Sequence, residues 1–307
     1  MTNDVKNMAA SVHQRLLNKA KQASLPFNEL LQRFAVERFL YRLSRSHHAD
    51  RFILKGALMF YVWRPAASRP TKDIDVLARM DNNIEAIVTA IKDACLQDVI
   101  ADGMSFHAET VTAARIARDA EYQGVRVRLR TNLGNARLSL QIDIGFGDVV
   151  TPAPCRIVYP AILDFPPPEL NGYSMESTIA EKFQAMVELG VLNSRMKDFY
   201  DVWLLSQKYA FKGEPLSAAI EKTFRNRGTR VLAEPSAFKD SLADDPYKAT
   251  QWRAFVRKSR LNDAPETFRE VAAILRTFLG PITAALAGNR PFRGSWVAPG
   301  PWIAPPE

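Results

Sequence analysis

The stretch from Tyr122 to Ile144 constrains the fold more than any other part of the chain. Val125, Val127 and Leu129 alternate with Arg126, Arg128 and Arg130. After Asn132-Leu-Gly-Asn135, Leu138, Leu140, Ile142 and Ile144 alternate with Ser139, Gln141 and Asp143. A period of two on both sides of a Gly/Asn turn predicts an antiparallel hairpin. One of its faces is apolar and must be covered; the other carries the arginines and Asp143. If Arg130 pairs near Arg137, these charges share one polar face, with a basic strip suited to phosphates beside a carboxylate. A solvent-facing sheet with scattered charges accounts for the same pattern.

A second carboxylate-bearing strand lies upstream, in Arg69-Pro-Thr-Lys-Asp-Ile-Asp-Val76. Side chains alternate along a strand, so Asp73 and Asp75 project the same way while Ile74 and Val76 enter the core. Two like charges roughly 7 Å apart on one face repel unless a cation lies between them. Hard oxygen donors suit Mg²⁺ or Mn²⁺, completed by phosphate oxygens. An isolated Asp-x-Asp is more often a solvated turn or edge-strand pair. Here it follows Arg51-Phe-Ile-Leu-Lys-Gly-Ala-Leu-Met-Phe-Tyr-Val-Trp63, which reads as a short strand, a turn at Gly56 and a helix from Ala57. Backbone N–H groups at such a turn can meet a triphosphate.

Composition narrows the class. The 307 residues suffice for one large core or two modest ones. With 47% hydrophobic and 24% charged residues, the chain is ordinary for a globular protein. The N-terminus shows no signal-peptide pattern, and no run reads as long and apolar enough to span a bilayer. Cys95 and Cys155 are far apart and form no metal spacing with the four histidines, so reduced thiols and a cytoplasmic location are expected. A net charge of +8 favours a polyanionic partner. His47 and His48 read as surface residues, because neighbouring side chains face apart in most backbones.

Along the chain, residues 5–23 and 27–43 read as helices, and Asn82 or Asn83 caps another reaching Leu96. Residues 151–168 are proline-rich and can form only a connection or an edge. The domain boundary is placed near Pro166–Pro168. Residues 1–165 form the first domain; residues 166–307 form a mainly helical second one that ends in an extended tail from Gly288. The second half has its own charged pattern. Lys182 borders the apolar stripe of a helix over 174–189, positioned to snorkel past the core or to aim at a phosphate. In Arg195-Met-Lys-Asp-Phe-Tyr-Asp201, Asp198 and Asp201 stack on one helical face. Lys182, Arg195 and Lys197 are candidate partners for them, so a structural salt-bridge network competes with a functional reading. Lys182→Ala is expected to leave the fold intact.

The ordered combination Lys55-Gly-Ala-Leu58, Arg69-Pro-Thr-x-Asp-Ile-Asp75, Ile179-Ala-Glu-Lys182 and Arg195-Met-Lys-Asp-Phe-Tyr-Asp201 resembles the AbiEii/AbiGii toxin family of the nucleotidyltransferase β superfamily, from about residue 25 to about residue 210. The resemblance implies an α+β fold: a nucleotidyltransferase-like N-terminal domain with a mixed or antiparallel sheet, then a helical domain. It implies a toxin of a type IV-like toxin–antitoxin or phage-defence system. Such a toxin uses Mg²⁺ or Mn²⁺ to transfer nucleotides from an NTP to RNA, most often the tRNA acceptor end, releasing pyrophosphate. A cognate antitoxin is the implied partner. Carried onto this sequence, Asp73, Asp75, Lys182 and Asp198 are catalytic. Gly56, Ala57, Arg69, Thr71, Lys182 and Arg195 meet nucleotide, with Asp143, Asp201 and Lys197 as further candidates. Asp73, Asp75 and Asp143 are the expected metal ligands, and Arg126, Arg128 and Arg130 the RNA contacts. Where some relatives carry Gly-Gly or Gly-Ser, this chain has Gly56-Ala57, which leaves backbone contacts only. Asp148, after a Gly-Phe-Gly loop, is a weaker acidic candidate. A protein side chain as acceptor, or a non-catalytic RNA- or partner-binding protein on the same fold, are the alternatives.

Overall fold

The computed structural model describes residues 7–63, 70–119 and 122–304. The chain divides into two compact units, residues 1–147 with 155–173 and residues 148–154 with 174–307.

The first unit starts with two helices, α1 (Met8–Gln22) and α2 (Phe27–Arg45). There follow β1 (Phe52–Lys55), a 3-10 turn over Gly56–Leu58, the short helix α3 (Met59–Trp63), β2 (Asp73–Ala78) and α4 (Ile84–Cys95). Asn83 caps α4, its side chain accepting the Ala86 N–H. Three long strands come next, β3 (Met104–Asp119), β4 (Tyr122–Leu133) and β5 (Ala136–Phe146). Two short ones close the unit, β6 (Cys155–Val158) and β7 (Glu169–Gly172). Together they form a mixed seven-stranded sheet in the order β3-β4-β5-β2-β1-β7-β6.

The hairpin of β4 and β5 forms as its alternation requires, and Val125, Val127, Leu140, Ile142 and Ile144 are buried. Its register differs from the expected one: Arg130 faces Ser139, and Arg137 faces Asn132. The loop has only two residues, and Gly134 at φ +56° closes it tightly enough to fix Leu133 opposite Ala136. The strand anticipated around Phe106–Val111 runs much further as β3, past a register shift between His107 and Thr112.

Helix α2 is buried over most of its surface, polar residues included. Arg38 Nε donates to Asp102 Oδ2 at 2.9 Å, and Arg42 engages both Asp102 oxygens at 2.6 and 3.0 Å. Glu37 Oε2 accepts the Ile162 N–H at 2.7 Å, while Arg38 Nη1 donates to the Pro166 carbonyl at 2.9 Å. These side chains tie down a proline-rich segment whose prolines at 152, 154, 160, 166, 167 and 168 donate no backbone hydrogen bond. The segment supplies the sheet edge, β6, and pairing continues beyond Pro168 into β7, which runs parallel to β1. In the chain, the first unit therefore extends past the prolines to Tyr173.

The second unit is helical. It contains α5 (Met175–Leu189), α6 (Met196–Lys208), α7 (Gly213–Asn226), α8 (Asp240–Ala243), α9 (Pro246–Ser259) and α10 (Phe268–Ala287). A small antiparallel sheet joins β8 (Phe211–Lys212), β9 (Ser295–Trp296) and β10 (Trp302–Ile303). The C-terminal segment is not the loose tail its composition suggests. Trp296 is 1% exposed, packs on Phe278 and donates its indole N–H to the Ser206 carbonyl. Helix α10 also departs from expectation, being the one described helix long and apolar enough to cross a membrane. Its Val271, Leu275, Phe278, Leu279 and Ile282 are buried in this unit, as in a core helix.

Burial alone would raise the Asp102 pKa; hydrogen bonds from Arg42, Met104 N–H and Arg38 outweigh it and hold the carboxyl below its ordinary value. A carboxyl with a lowered folded-state pKa stabilises the fold above its unfolded pKa of about 4, and that contribution disappears as pH falls through the folded value. Asp102→Ala should cost about 3–5 kcal/mol in urea denaturation at pH 7 by taking the carboxylate from the buried Arg42 guanidinium and leaving Arg38 with Glu37 alone. The deficit relative to the parent should narrow below pH 4.

Candidate active site

The sheet order places strands from different parts of the chain side by side. Register aligns Lys55 of β1 with Asp75 of β2, Asp75 with Asp143 of β5, and Asp143 with Arg126 of β4. Directly opposed residues leave the sheet on the same face, so these four form one row with its cations at the two ends: cation, carboxylate, carboxylate, cation. Two residues along, Asp73, Gln141 and Arg128 form a second row on that face. Arg130, opposite Ser139, continues it. Ile74 and Val76 point the other way and are buried at 0% and 1% exposure. The two carboxylates of Asp-Ile-Asp therefore do share a face, as strand alternation requires.

Each member is held differently. Arg126 Nε and Nη2 donate to the two oxygens of Asp143, both at 2.8 Å. The Arg126 pKa is raised first by that bidentate bond, against burial, and then by the charges of Asp143, Asp73 and Asp75. All three carboxylates thus act on one guanidinium. Lys55 is buried, with its ammonium 5.2 Å from the centre of the Tyr173 ring. The Lys55-Gly-Ala-Leu58 motif carries no local sign of a role for Lys55; only cross-strand register brings it beside Asp75. Gly56 adopts φ +70°, and a Cβ there would lie 2.4 Å from Asp75 Oδ2. The carboxylate packs directly on the glycine, so both the backbone and the space exclude a side chain. Ala57 is buried in the 3-10 turn, and Thr71 is half-exposed just before β2. Arg69 lies outside the described residues.

In the second unit, Lys182 Nζ lies 2.7 Å from Asp198 Oδ1 and 2.8 Å from Asp201 Oδ2. Asp198 and Asp201 are buried and Lys182 is nearly so, which makes the triad a link between α5 and α6. Arg195 precedes the first turn of α6 and Lys197 lies within it; both are exposed. Asp148 is engaged by Arg227 at 2.8 Å in this unit. The expectation that Lys182→Ala spares the fold changes accordingly, because it strands two buried carboxylates.

His47 and His48 are not both surface residues. His48 is buried with Nε2 2.8 Å from Asp93 Oδ2, and the His47 ring packs against it, tilted by 41° with centroids 3.8 Å apart. Ser46 Oγ accepts the His48 N–H, a local bond that turns the chain at the end of α2 and brings both rings to α4. Among the described residues, these three form the group whose donor atoms lie within 4.8 Å of one another. No local pattern signals it, since Asp93 is distant in the chain.

A glycine turn packed on a strand-borne carboxylate pair, with cations on both flanks, is the candidate centre of the first unit. A family model described as nucleotidyl transferase AbiEii toxin, type IV toxin–antitoxin system, matches residues 38–274. The chain belongs to this family and is a nucleotidyltransferase of the toxin class. Solved structures with a similar chain trace include JHP933 from Helicobacter pylori, at 15% identity and TM-score 0.47, covering 84% of this chain and 93% of that one. A nucleotidyltransferase structure from H. pylori shows 15% identity and TM-score 0.48, with coverage of 86% and 97%. MenT4, a nucleotidyltransferase toxin from Mycobacterium tuberculosis, shows 17% identity and TM-score 0.49, with coverage of 91% and 98%. No curated protein matches the chain.

Two outcomes are expected from this geometry. Gly56→Ala should lose on the order of 1–3 kcal/mol in urea denaturation from the left-handed backbone alone. Lys182→Ala should lose about 3–5 kcal/mol, and Lys182→Arg, which keeps the charge, should recover much of it.

Proposed function

We propose that this toxin transfers a nucleotide from an NTP to RNA, at the acceptor end of tRNA, with a divalent cation held by Asp73 and Asp75. The observation that supports the reading is the pair of same-face carboxylates beside Gly56, flanked by Lys55 and Arg126. The donor set fits the ion: hard carboxylate oxygens on one rigid strand are what Mg²⁺ or Mn²⁺ takes, with phosphate oxygens completing the shell. When bound, the cation supplies charge neutralisation at the reacting phosphate.

The chain's own groups position the substrates. The Gly56–Ala57 turn offers backbone contacts to the triphosphate, and Thr71 and Arg69 precede the carboxylate strand. Exposed Arg128 and Arg130 extend the same face as a basic strip for an RNA backbone. The RNA hydroxyl oxygen bonds to the α-phosphorus, the bond to the β-phosphate oxygen breaks, and pyrophosphate leaves. The hydroxyl proton passes to a carboxylate or to solvent. Positioning and electrostatics carry most of the rate in such transfers.

The family resemblance further gives Lys182 and Arg195 a role toward nucleotide, and Asp198, with Asp201 and Lys197, a catalytic or supporting one. Nucleotide affinity of the folded Lys182→Arg protein tests the first of these roles. A cognate antitoxin and a cytoplasmic setting, where tRNA and NTPs meet the protein, complete the reading.

Incubation with each labelled NTP, Mg²⁺ and total RNA should label tRNA-sized species. Asp73→Ala should reduce labelling by about 100-fold or more, and EDTA should abolish it. Label that resists nuclease but not protease would move the acceptor to a protein side chain. Absence of NTP binding by calorimetry, with salt-dependent RNA binding retained, would remove the enzymatic reading for this chain.

A further inference from the structure

We infer that Asp143 is not a metal ligand but a positioning residue, whose carboxylate fixes the Arg126 guanidinium as a clamp for the NTP phosphates. This rests on the nucleotide-binding reading above. The two oxygens of Asp143 are both engaged by Arg126, at 2.8 Å each, in a fork-to-fork pair. The Asp143 side chain is 6% exposed, whereas that of Arg126 is 31% exposed. One edge of the guanidinium is therefore anchored on a buried carboxylate while part of the group reaches solvent on the sheet face that carries Asp73 and Asp75. Nη1 takes part in neither bond to Asp143, so its N–H donors are not spent on the anchor.

Ligation of a metal by Asp143 would set a second cation on the two oxygens that already hold the Arg126 guanidinium, and the two positive charges would repel. Keeping the pair intact asks for no rearrangement. It also places a fixed cation two strands from Asp75, roughly 10 Å between backbones, with the guanidinium held on the intervening Asp143. A triphosphate bound to a cation at Asp73 and Asp75 still carries excess negative charge, and a planar donor fork suits its oxygens. Arg128 and Arg130 lie in rows further along the strand and are exposed, as suits RNA; Arg126, in the Asp75 row, is directed to the nucleotide instead.

Calorimetric titration of each of the four NTPs tests the assignment, run at saturating Mg²⁺ and then across Mg²⁺ concentrations at fixed NTP. Asp143→Asn keeps the side-chain volume but loses the charge, and Arg126→Ala removes the fork. Each should weaken NTP binding about 10-fold, and the double variant should be no weaker than the worse single one, because the two residues act as one unit. Arg126→Lys should recover only part of the loss. The Mg²⁺ concentration at half-maximal NTP binding should be unchanged in Asp143→Asn and clearly raised in Asp75→Asn. Thermal unfolding of each variant separates misfolding from lost contacts, and Arg126→Lys carries the test if Arg126→Ala does not fold. A raised Mg²⁺ midpoint in Asp143→Asn, with NTP affinity intact in the arginine variants, would overturn the inference. If the parent protein binds none of the NTPs while folded, the nucleotide reading itself fails, and this inference with it.

Discussion

Adjacent carboxylates on one sheet face repel one another, and the first unit is arranged around that repulsion. Asp75 and Asp143 are direct neighbours on parallel strands, with Asp73 two residues along. At an effective dielectric near 20, two unit charges about 5 Å apart cost roughly 3 kcal/mol. The strand order answers this cost by flanking the acidic pair with Lys55 on β1 and Arg126 on β4. The flanking charges let the carboxylates stand together on a folded sheet.

The rest of the first unit serves to hold those strands in place. Strands β2 and β5 are parallel and central, so both need apolar cover on the face opposite the acids. Buried Ile74, Val76, Ile142 and Ile144 belong to the same core as α2 and α4. Helix α2 in turn fastens the proline-rich segment through Glu37 and Arg38, and that segment carries the two strands beyond β1. Gly56 is the tightest point. The turn out of β1 needs a positive φ, and Asp75 occupies the volume a side chain would fill.

The second unit solves a similar electrostatic problem by different means. Asp198 and Asp201, one helical turn apart on α6, are buried and share the single ammonium of Lys182. A buried triad of this kind is costly to break and therefore ties α5 and α6 together, whatever else its members do. Aromatic packing supplies the remainder: Phe278 meets Phe211, Trp296 and Trp302, which draws the C-terminal segment onto the helices.

Local periodicity determined a good deal of this protein. The hairpin of β4 and β5, the common face of Asp73 and Asp75, the capped helix α4, helix α5 and the stacking of Asp198 on Asp201 all follow from spacing within one element. Such patterns are set by backbone geometry over a few residues, and they survive in any tertiary context. What lies opposite each element was decided only by tertiary structure. Strand β2 lies between β1 and β5, so Lys55 and Asp143 become its neighbours across long stretches of sequence. The pairing of Arg126 with Asp143 needed a register fixed by a two-residue loop. Burial of His48 against Asp93, of Lys182 between two aspartates and of Trp296 in the helical core had no local signature either. A charge acquires its partner from strand order, register and packing, and one-dimensional periodicity carries no record of these.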